Sequence, residues 1–277
     1  MTLQHQAAPG ERGTGGARAN HRDDVSNGAS PLVTPVEVVE HFGPAADRLR
    51  RYAELLATEG VVRGLIGPRE VPRIWDRHIL NSAALLPLLP DSGRLADVGS
   101  GAGLPALVIG ILRPDLTVTL IEPLLRRVRF LTQCIEELGL ENCHVIRGRA
   151  EEVRDLAVDT VVARAVAPLD RLVRICLPLL RPGGELLAVK GDGAEDELRS
   201  AEKTLAALGA SSWSVVKLRP PAAVADATVV KVQSAVRGPS RNRRAGGRSR
   251  KTPATDRRGS AKGHGASPER RTAGGRS

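Results

Sequence analysis

The stretch LADVGSGAGLP, residues 95–105, decides the fold, because three glycines follow a short apolar run that contains Asp97. A glycine-rich turn directly after a strand is where doubly wound α/β domains bind their ligand. Gly99, Gly101 and Gly103 let the backbone turn sharply and approach a ligand closely, since none of them carries a Cβ atom. The stretch therefore predicts a ligand site at the carboxyl end of a first strand.

Downstream of this turn the sequence alternates between predicted strands and predicted helices. The first helix starts near Leu104 and would offer its free N–H groups to a ligand. The predicted strands are 94–99, 116–122, 143–148, 159–165, 185–191, 212–219 and 227–234, and the predicted helices are 104–113, 124–139, 168–180 and 195–209. Because parallel strands need crossover connections, this order predicts an α/β fold with a doubly wound, mostly parallel seven-stranded sheet over residues 92–236.

Two regions precede the sheet. Residues 1–30 are polar and glycine-rich, without the apolar segment of a signal peptide, and are predicted to form a disordered leader. Residues 31–91 are predicted to form a small N-terminal helical extension. Helical spacing of apolar residues runs through 34–43 and 44–60, each ending at a glycine, and a third helical pattern precedes Pro90.

The basic charge of the chain is concentrated at one end. The net charge is +10, but residues 237–277 hold 13 Lys and Arg against two acids, and the rest holds 28 basic and 29 acidic residues. This segment has almost no apolar residues, so we expect a disordered basic tail. It is either a solubilising extension or an arm that binds phosphate backbones without sequence choice. Aromatic residues are only 2% of the chain, which gives no sign of base-stacking platforms.

The cysteines exclude several classes of protein. Cys134, Cys143 and Cys176 form no C-x-x-C pair, and their odd number suits neither a disulfide framework nor a zinc site. We therefore expect buried thiols, no metal and a cytoplasmic location. The chain also contains no run of 18 apolar residues, so no membrane insertion is expected.

The glycine turn is compatible with a dinucleotide or with S-adenosylmethionine. A dinucleotide motif read from Gly99 fails at Leu104, where the third glycine would fall, and one read from Gly101 runs through Pro105. Asp97 separates the two ligands further. A carboxylate there would repel a pyrophosphate, whereas S-adenosylmethionine carries a sulfonium and an ammonium group. The turn therefore favours S-adenosylmethionine as cofactor.

An acidic residue follows at the spacing that a ribose requires. Glu122 ends the second predicted strand, 23 residues after Gly99, where it can accept hydrogen bonds from both ribose hydroxyls. Together with Asp97 and Gly101, Glu122 is assigned to the cofactor site. The alternative is a tight structural turn with acids at the surface.

Six segments occur in the order HILNS, DVGSGAGLP, IEPLLRRVRFL, RGRAEEV, ARAVAPL and LAVKG. This order resembles the glucose-inhibited division protein B family, the small-subunit ribosomal RNA guanine-N7 methyltransferases. The resemblance covers about 35–236, and GLIGPRE (64–70) is similar to the form in high-GC Gram-positive bacteria. It implies a Rossmann-like class I S-adenosylmethionine-dependent methyltransferase.

The resemblance also implies roles for individual residues. Gly99 and Leu104 would supply backbone at the methionine end of the cofactor. Ala150 and Glu151 would cover the adenine. Arg164 would be a further cofactor contact near the methyl group or the target base, and a positioning residue in catalysis.

Arg164 has an alternative role as a surface cation, in an ion pair with Glu151 or Asp170. Arg126 and Arg127 belong to a cluster of arginines at the start of a predicted helix. The helix dipole does not favour cations there, so we assign these two to RNA phosphate, with a solvated face as the alternative.

A second group of predicted RNA-binding residues is Arg77 and His78, in the family-like RHILNS segment. They would border the substrate cleft, although a histidine before an apolar run can also be structural. Asn81 stands in this segment where the family commonly has Asp. A charge role of that Asp would be lost here, whereas a hydrogen-bonding role could be kept by Asn.

The predicted reaction is transfer of a methyl group from S-adenosylmethionine to N7 of a guanine in 16S ribosomal RNA, near the decoding region. N7 presents a lone pair and carries no proton, so no general base is required, and the sequence shows no obvious catalytic dyad. The expected partner is 16S RNA or the small ribosomal subunit, bound by a monomer. The alternatives are an NAD-dependent oxidoreductase, a non-catalytic ribosome-assembly protein that binds RNA, and a small-molecule methyltransferase.

Overall fold

A computed structural model of the protein describes residues 32–153, 155–219 and 226–235. The predicted leader over 1–30 and the predicted basic tail over 237–277 lie outside these residues. Within the described ranges, no helix combines the length and the apolar character needed to cross a membrane.

A helical lead-in precedes the sheet. Its α-helices are α1 (Val36–Phe42), α2 (Ala46–Leu55) and α3 (Asn81–Ala83). α1 ends at Gly43, whose φ of 50° is left-handed and favours glycine. α1 and α2 lie within the first two predicted helical segments, which are therefore confirmed. The third helical pattern is broken into a π turn, α3 and a 3-10 turn (Ile74–Leu80, Asn81–Ala83, Leu86–Leu88). Pro72 and Pro87 lie beside or within these turns, and proline cannot continue the hydrogen-bond ladder of an α-helix.

Seven strands form one sheet in the order β3-β2-β1-β4-β5-β7-β6. The strands are β1 (Gly93–Val98), β2 (Leu116–Glu122), β3 (Cys143–Arg147), β4 (Val158–Arg164), β5 (Leu180–Lys190), β6 (Ala210–Leu218) and β7 (Ala227–Ser234). β1 to β5 are parallel, and β7 runs antiparallel to both β5 and β6. The predicted mostly parallel seven-stranded sheet is confirmed. β1 pairs with β2 on one side and β4 on the other, so the switch point lies beside the glycine turn.

Helices cover both faces of the sheet. The crossover helices are α4 (Ala106–Leu112), α5 (Leu125–Leu138), α6 (Leu169–Cys176) and α7 (Ala194–Ala207). α4 and α5 pack in one buried apolar cluster, and α6 and α7 pack in a second. Side chains of β1 alternate between the two, with Leu95 in the first cluster and Ala96 in the second. The predicted doubly wound arrangement is therefore confirmed.

The lead-in shares the core of the sheet. Leu49 and Tyr52 of α2 are fully buried in the same apolar cluster as Leu107 of α4 and Phe130 of α5. α2 therefore packs over α4 and α5, and its apolar face also contacts α1 and the neighbouring helical turns.

Gly110 lies where α4 passes close to the start of β3. A Cβ added at Gly110 would overlap the Sγ atom of the buried Cys143. We expect Gly110→Ala to lower the free energy of unfolding by about 1–3 kcal/mol, the usual cost of overpacking a core. Urea denaturation measures this change. Gly191→Ala is the matched control, because its Cβ would meet nothing within 4 Å, and an equal loss in both variants would contradict the prediction.

Candidate functional site

The glycine turn follows β1 as predicted. Gly99, Gly101 and Gly103 have φ values of 70°, 57° and 94°, which L side chains rarely adopt. The amide of Gly103 donates to the carbonyl of Ser100 at 2.7 Å and closes the turn. The following helix starts at Ala106, two residues later than predicted.

A tyrosine of the helical lead-in donates a hydrogen bond to the backbone of this turn. The hydroxyl of Tyr52, the only tyrosine in the chain, donates to the carbonyl oxygen of Ala102 at 2.7 Å. Its ring is fully buried. Sequence reasoning missed this residue, because Tyr52 lies 50 positions before Ala102 and no local pattern links them.

Asp97 is a buried carboxylate beside the turn. Its relative exposure is 0%, and neither carboxylate oxygen has a hydrogen-bond partner among the described residues. The hydroxyl of Ser100 donates to the main-chain carbonyl of Asp97 at 3.0 Å. Burial raises the pKa of Asp97 to about 7, although the hydroxyl of Ser100, the charge of Arg164 and the amide of Ala106 oppose the shift. An unpartnered group of this kind suits a cationic ligand.

The side chain of Glu122 links the glycine turn to the start of α5 through hydrogen bonds. Its Oε2 accepts from the amide of Gly101 at 2.9 Å, and its Oε1 accepts from the amide of Leu124 at 3.0 Å. Nη1 of Arg127 lies 3.5 Å from Oε2. Each carboxylate oxygen can accept two hydrogen bonds, so Glu122 retains capacity for a ribose hydroxyl.

A first cavity of about 380 Å³ lies at the carboxyl ends of β1, β2 and β4. Its lining includes Gly99, Glu122, Leu124, Arg127, Ala150, Glu151, Val166 and Arg171. It thus brings together four residues assigned from sequence to the cofactor, which are Gly99, Glu122, Ala150 and Glu151. Asp97, Gly101 and Leu104 do not line this cavity, since Asp97 and Leu104 are buried next to it and Gly101 is half-buried in the turn. Arg164, also assigned to the cofactor, lines the second cavity described next.

A second cavity of about 740 Å³ adjoins the first. Its polar lining consists of Glu70, Arg77, His78, Asn81, Arg164, Lys190 and Glu197. Ala165, Val166 and Ala167 line both cavities, so a ligand in one would lie next to a ligand in the other. Lys190 holds the segment 165–167 in place, because its Nζ donates to the carbonyl of Ala167 at 2.8 Å.

Arg164 ends β4 and projects into the second cavity. Its Nη1 donates to the carbonyl of Arg77 at 3.5 Å, and its Nη2 lies 3.3 Å from Nδ1 of His78. The alternative of a surface ion pair with Glu151 or Asp170 is wrong. Asp170 is paired with Arg174 instead, and burial lowers the pKa of Arg164.

The residues assigned to RNA lie in different settings. Arg126 is exposed at the start of α5, whereas Arg127 turns back to Glu122 at the first cavity. Arg77 is exposed and bonds Glu70 at 3.1 Å, but the side chain of His78 is only 15% exposed.

The described residues contain no group of three His, Cys, Asp or Glu side chains placed to bind a metal. Cys134, Cys143 and Cys176 are all buried, as predicted. Burial raises the pKa of Cys134 and of Cys143 to about 12, so both thiols are protonated and unreactive at neutral pH.

Comparison with known proteins agrees with this geometry. A family model described as rRNA small subunit methyltransferase G matches residues 45–224. The ribosomal RNA small subunit methyltransferase G of Streptomyces avermitilis is 54% identical over 201 residues, covering 72% of this chain and 84% of that protein. The protein of the same name from Thermobifida fusca is 59% identical over 168 residues, or 60% of this chain and 71% of its own.

Among solved structures, a SAM-dependent O-methyltransferase from Thermotoga maritima is similar, with a TM-score of 0.45 and 17% sequence identity. The match covers 61% of this chain and 71% of that chain. The family match includes most of the lead-in, the glycine turn and both cavities, and the predicted enzyme class is confirmed. This chain belongs to the GidB family, the methyltransferases of small-subunit ribosomal RNA.

Proposed function

We propose that this chain transfers a methyl group from S-adenosylmethionine to N7 of a guanine in 16S ribosomal RNA, in the decoding region of the small subunit. The pair of adjoining cavities carries the proposal. The first takes the cofactor and the second takes the guanine, with Ala165, Val166 and Ala167 against both. Holding two reactants side by side is worth about 7–11 kcal/mol of the barrier.

The methyl donor is S-adenosylmethionine, whose sulfonium supplies an electrophilic methyl group. The unpartnered carboxylate of Asp97 suits its ammonium group and would repel a pyrophosphate. Ala150 and Glu151 flank the adenine. The glycine turn, with the backbone of Gly99 and Leu104, holds the methionine end.

The acceptor is a guanine bound beside Arg164. Because N7 already presents a lone pair, the chain needs to orient the base and does not need to remove a proton. The guanidinium of Arg164 has five N–H donors, and among the described residues only two of its nitrogens have protein partners. The remaining donors are available to hold the guanine in line with the methyl group.

The substrate is the RNA within the small subunit, approached from the side of Arg77 and Arg126, which are both exposed. The helical extension (31–91) and the methyltransferase domain (92–236) act as one unit, because they share a core. The proposed active form is a monomer. The reaction takes place in the cytoplasm, where ribosomal subunits are assembled. Membership of a methyltransferase family supports this function over an NAD-dependent oxidoreductase or a non-catalytic assembly protein.

The test is transfer of labelled methyl from S-adenosylmethionine to small subunits that lack the modification, followed by mass mapping of the RNA. We expect a single N7-methylguanosine in 16S RNA. Calorimetry with S-adenosylmethionine and with NAD tests the cofactor separately. Binding of S-adenosylmethionine without methyl transfer would contradict the proposed acceptor, and failure to bind it would contradict the proposed cofactor.

A further inference from the structure

Three side chains form a line along the wall of the second cavity. Nδ1 of His78 lies 3.3 Å from Nη2 of Arg164, and Nε2 of His78 lies 3.3 Å from Oε2 of Glu70. Arg77 holds the same carboxylate from the other side, with contacts of 3.1 and 3.2 Å to its two oxygens. His78 is therefore the link between a carboxylate fixed at one end and the guanidinium of Arg164 at the other.

The chemistry of the two neighbours allows only one protonation state of His78. A guanidinium can only donate, so Nδ1 of His78 must accept from Arg164. A carboxylate can only accept, so the single proton of the ring must be on Nε2, facing Glu70. The Nε2 contact is too bent for a full hydrogen bond, so Glu70 selects the tautomer mainly by its charge.

The surroundings keep this histidine neutral. Burial, together with the charges of Arg164 and Arg77, lowers the pKa of His78 to about 4, although Glu70 opposes the shift. At neutral pH the lone pair of Nδ1 is therefore free to accept a hydrogen bond.

We propose that His78 is a positioning residue, which holds the guanidinium of Arg164 in the second cavity through its unprotonated Nδ1. The inference rests on the proposed role of Arg164 toward the guanine. Arg164 makes only one other hydrogen bond among the described residues, a long one of 3.5 Å to the carbonyl of Arg77. Without the Nδ1 acceptor its long side chain can rotate, and a misplacement of about 1 Å is enough to cost about 100-fold in rate.

Two substitutions separate this role from a packing role. In His78→Asn the side-chain oxygen lies close to the former position of Nδ1 and can still accept from Arg164. In His78→Gln the polar end reaches the former position of Nε2, next to Glu70, and leaves Arg164 without its acceptor. The measurements are kcat and KM for methyl transfer to small subunits lacking the modification, and the Kd of S-adenosylmethionine by calorimetry. His144→Gln, at an exposed histidine of β3, is the control for loss of an imidazole.

We expect His78→Gln to lower kcat at least about tenfold with little change in the Kd of S-adenosylmethionine, and His78→Asn to stay within about threefold of the unchanged protein. His78→Ala, a second variant without the acceptor, should behave like His78→Gln. All variants are compared at a temperature where circular dichroism shows them folded. Equal activities of the Asn and Gln variants would overturn the inference.

Arg164→Ala distinguishes failure of this inference from failure of the proposed function. A large loss in Arg164→Ala together with equal Asn and Gln variants would leave the function standing and remove His78 from it. Full activity of Arg164→Ala would remove Arg164 from the site, and the inference about His78 would fall with it.

Discussion

Replacing Asp97 with Asn is expected to weaken binding of S-adenosylmethionine at least about 30-fold, because truncating one partner of a buried charge pair costs about 2–5 kcal/mol. The carboxylate is fully buried and has no hydrogen-bond partner among the described residues, so the ammonium of the cofactor would be its first partner. Isothermal titration calorimetry at neutral pH measures the change. Equal affinities of the two proteins would show that Asp97 does not contact the ammonium.

The same residue predicts a pH dependence of cofactor affinity. With a pKa of about 7, Asp97 is protonated in more acidic solution and must lose its proton before it can pair with a cation. Affinity should therefore fall by up to about tenfold for each pH unit below 7 in the unchanged protein. In Asp97→Asn this dependence should disappear. A flat profile in the unchanged protein would contradict the proposed pair.

Asp97→Asn should also stabilise the protein without cofactor. The pKa of Asp97 is raised in the folded state, whereas the unfolded chain ionises near 3.8. Between these values the unfolded state loses its proton first, so stability is full below pH 3.8 and falls as the pH rises towards 7. The Asn variant avoids this loss, and its melting temperature at pH 7 should be higher. Residues that bind a ligand commonly lower the stability of the protein without that ligand.

Gly103→Ala is expected to lower the free energy of unfolding by about 2–5 kcal/mol, as the sum of backbone strain and overpacking. The added Cβ would lie 2.5 Å from Cδ1 of Leu107 and 3.0 Å from the hydroxyl oxygen of Tyr52. Both neighbours are fully buried, so neither can move aside easily. Chemical denaturation provides the measurement.

Gly101→Ala is the matched control for the glycine turn. Gly101 also has a positive φ, but its added Cβ would meet only the carbonyl oxygen of Gly99, at 3.8 Å. This variant carries the strain without the clash, and we expect it to cost about 1 kcal/mol. A loss in Gly101→Ala as large as that in Gly103→Ala would mean that conformation alone, and not close packing, requires a glycine at position 103.

Most of the sheet could be predicted from sequence, because short apolar runs and glycine stops mark the strands β1 to β4. The start of β5 could not. It begins at Leu180, five residues before the prediction, because Val158 pairs with Leu180 and Thr160 with Glu185 around a bulge. A Pro-Gly-Gly segment there is typical of a turn, and only the neighbouring strand keeps it in the sheet. The broken helices after Pro72 were missed in a similar way, since their apolar spacing is helical but their prolines interrupt it.

The candidate site was predictable where its residues are close in sequence to strand ends. Gly99 and Glu122 follow from the rule that ligands bind at the carboxyl ends of parallel strands. Arg164 was assigned through the family resemblance alone. Tyr52 and Glu70 could not be found, because both come from the lead-in and reach the site only through tertiary packing. The direction in which a side chain points could not be predicted from the sequence either. Nothing in the run of arginines indicates that Arg127 turns inward to Glu122 while Arg126 stays exposed.

The packing of α2 over α4 and α5 has a consequence for the order of events during synthesis. Tyr52 and Leu49 leave the ribosome well before Phe130, the α5 residue that shares their cluster. At a synthesis rate of about 5–20 residues per second, Phe130 is added roughly 4–16 seconds after Tyr52, and until then the apolar face of α2 lacks this partner. The first helices of the nascent chain are therefore exposed to aggregation or to chaperones until α5 has been translated.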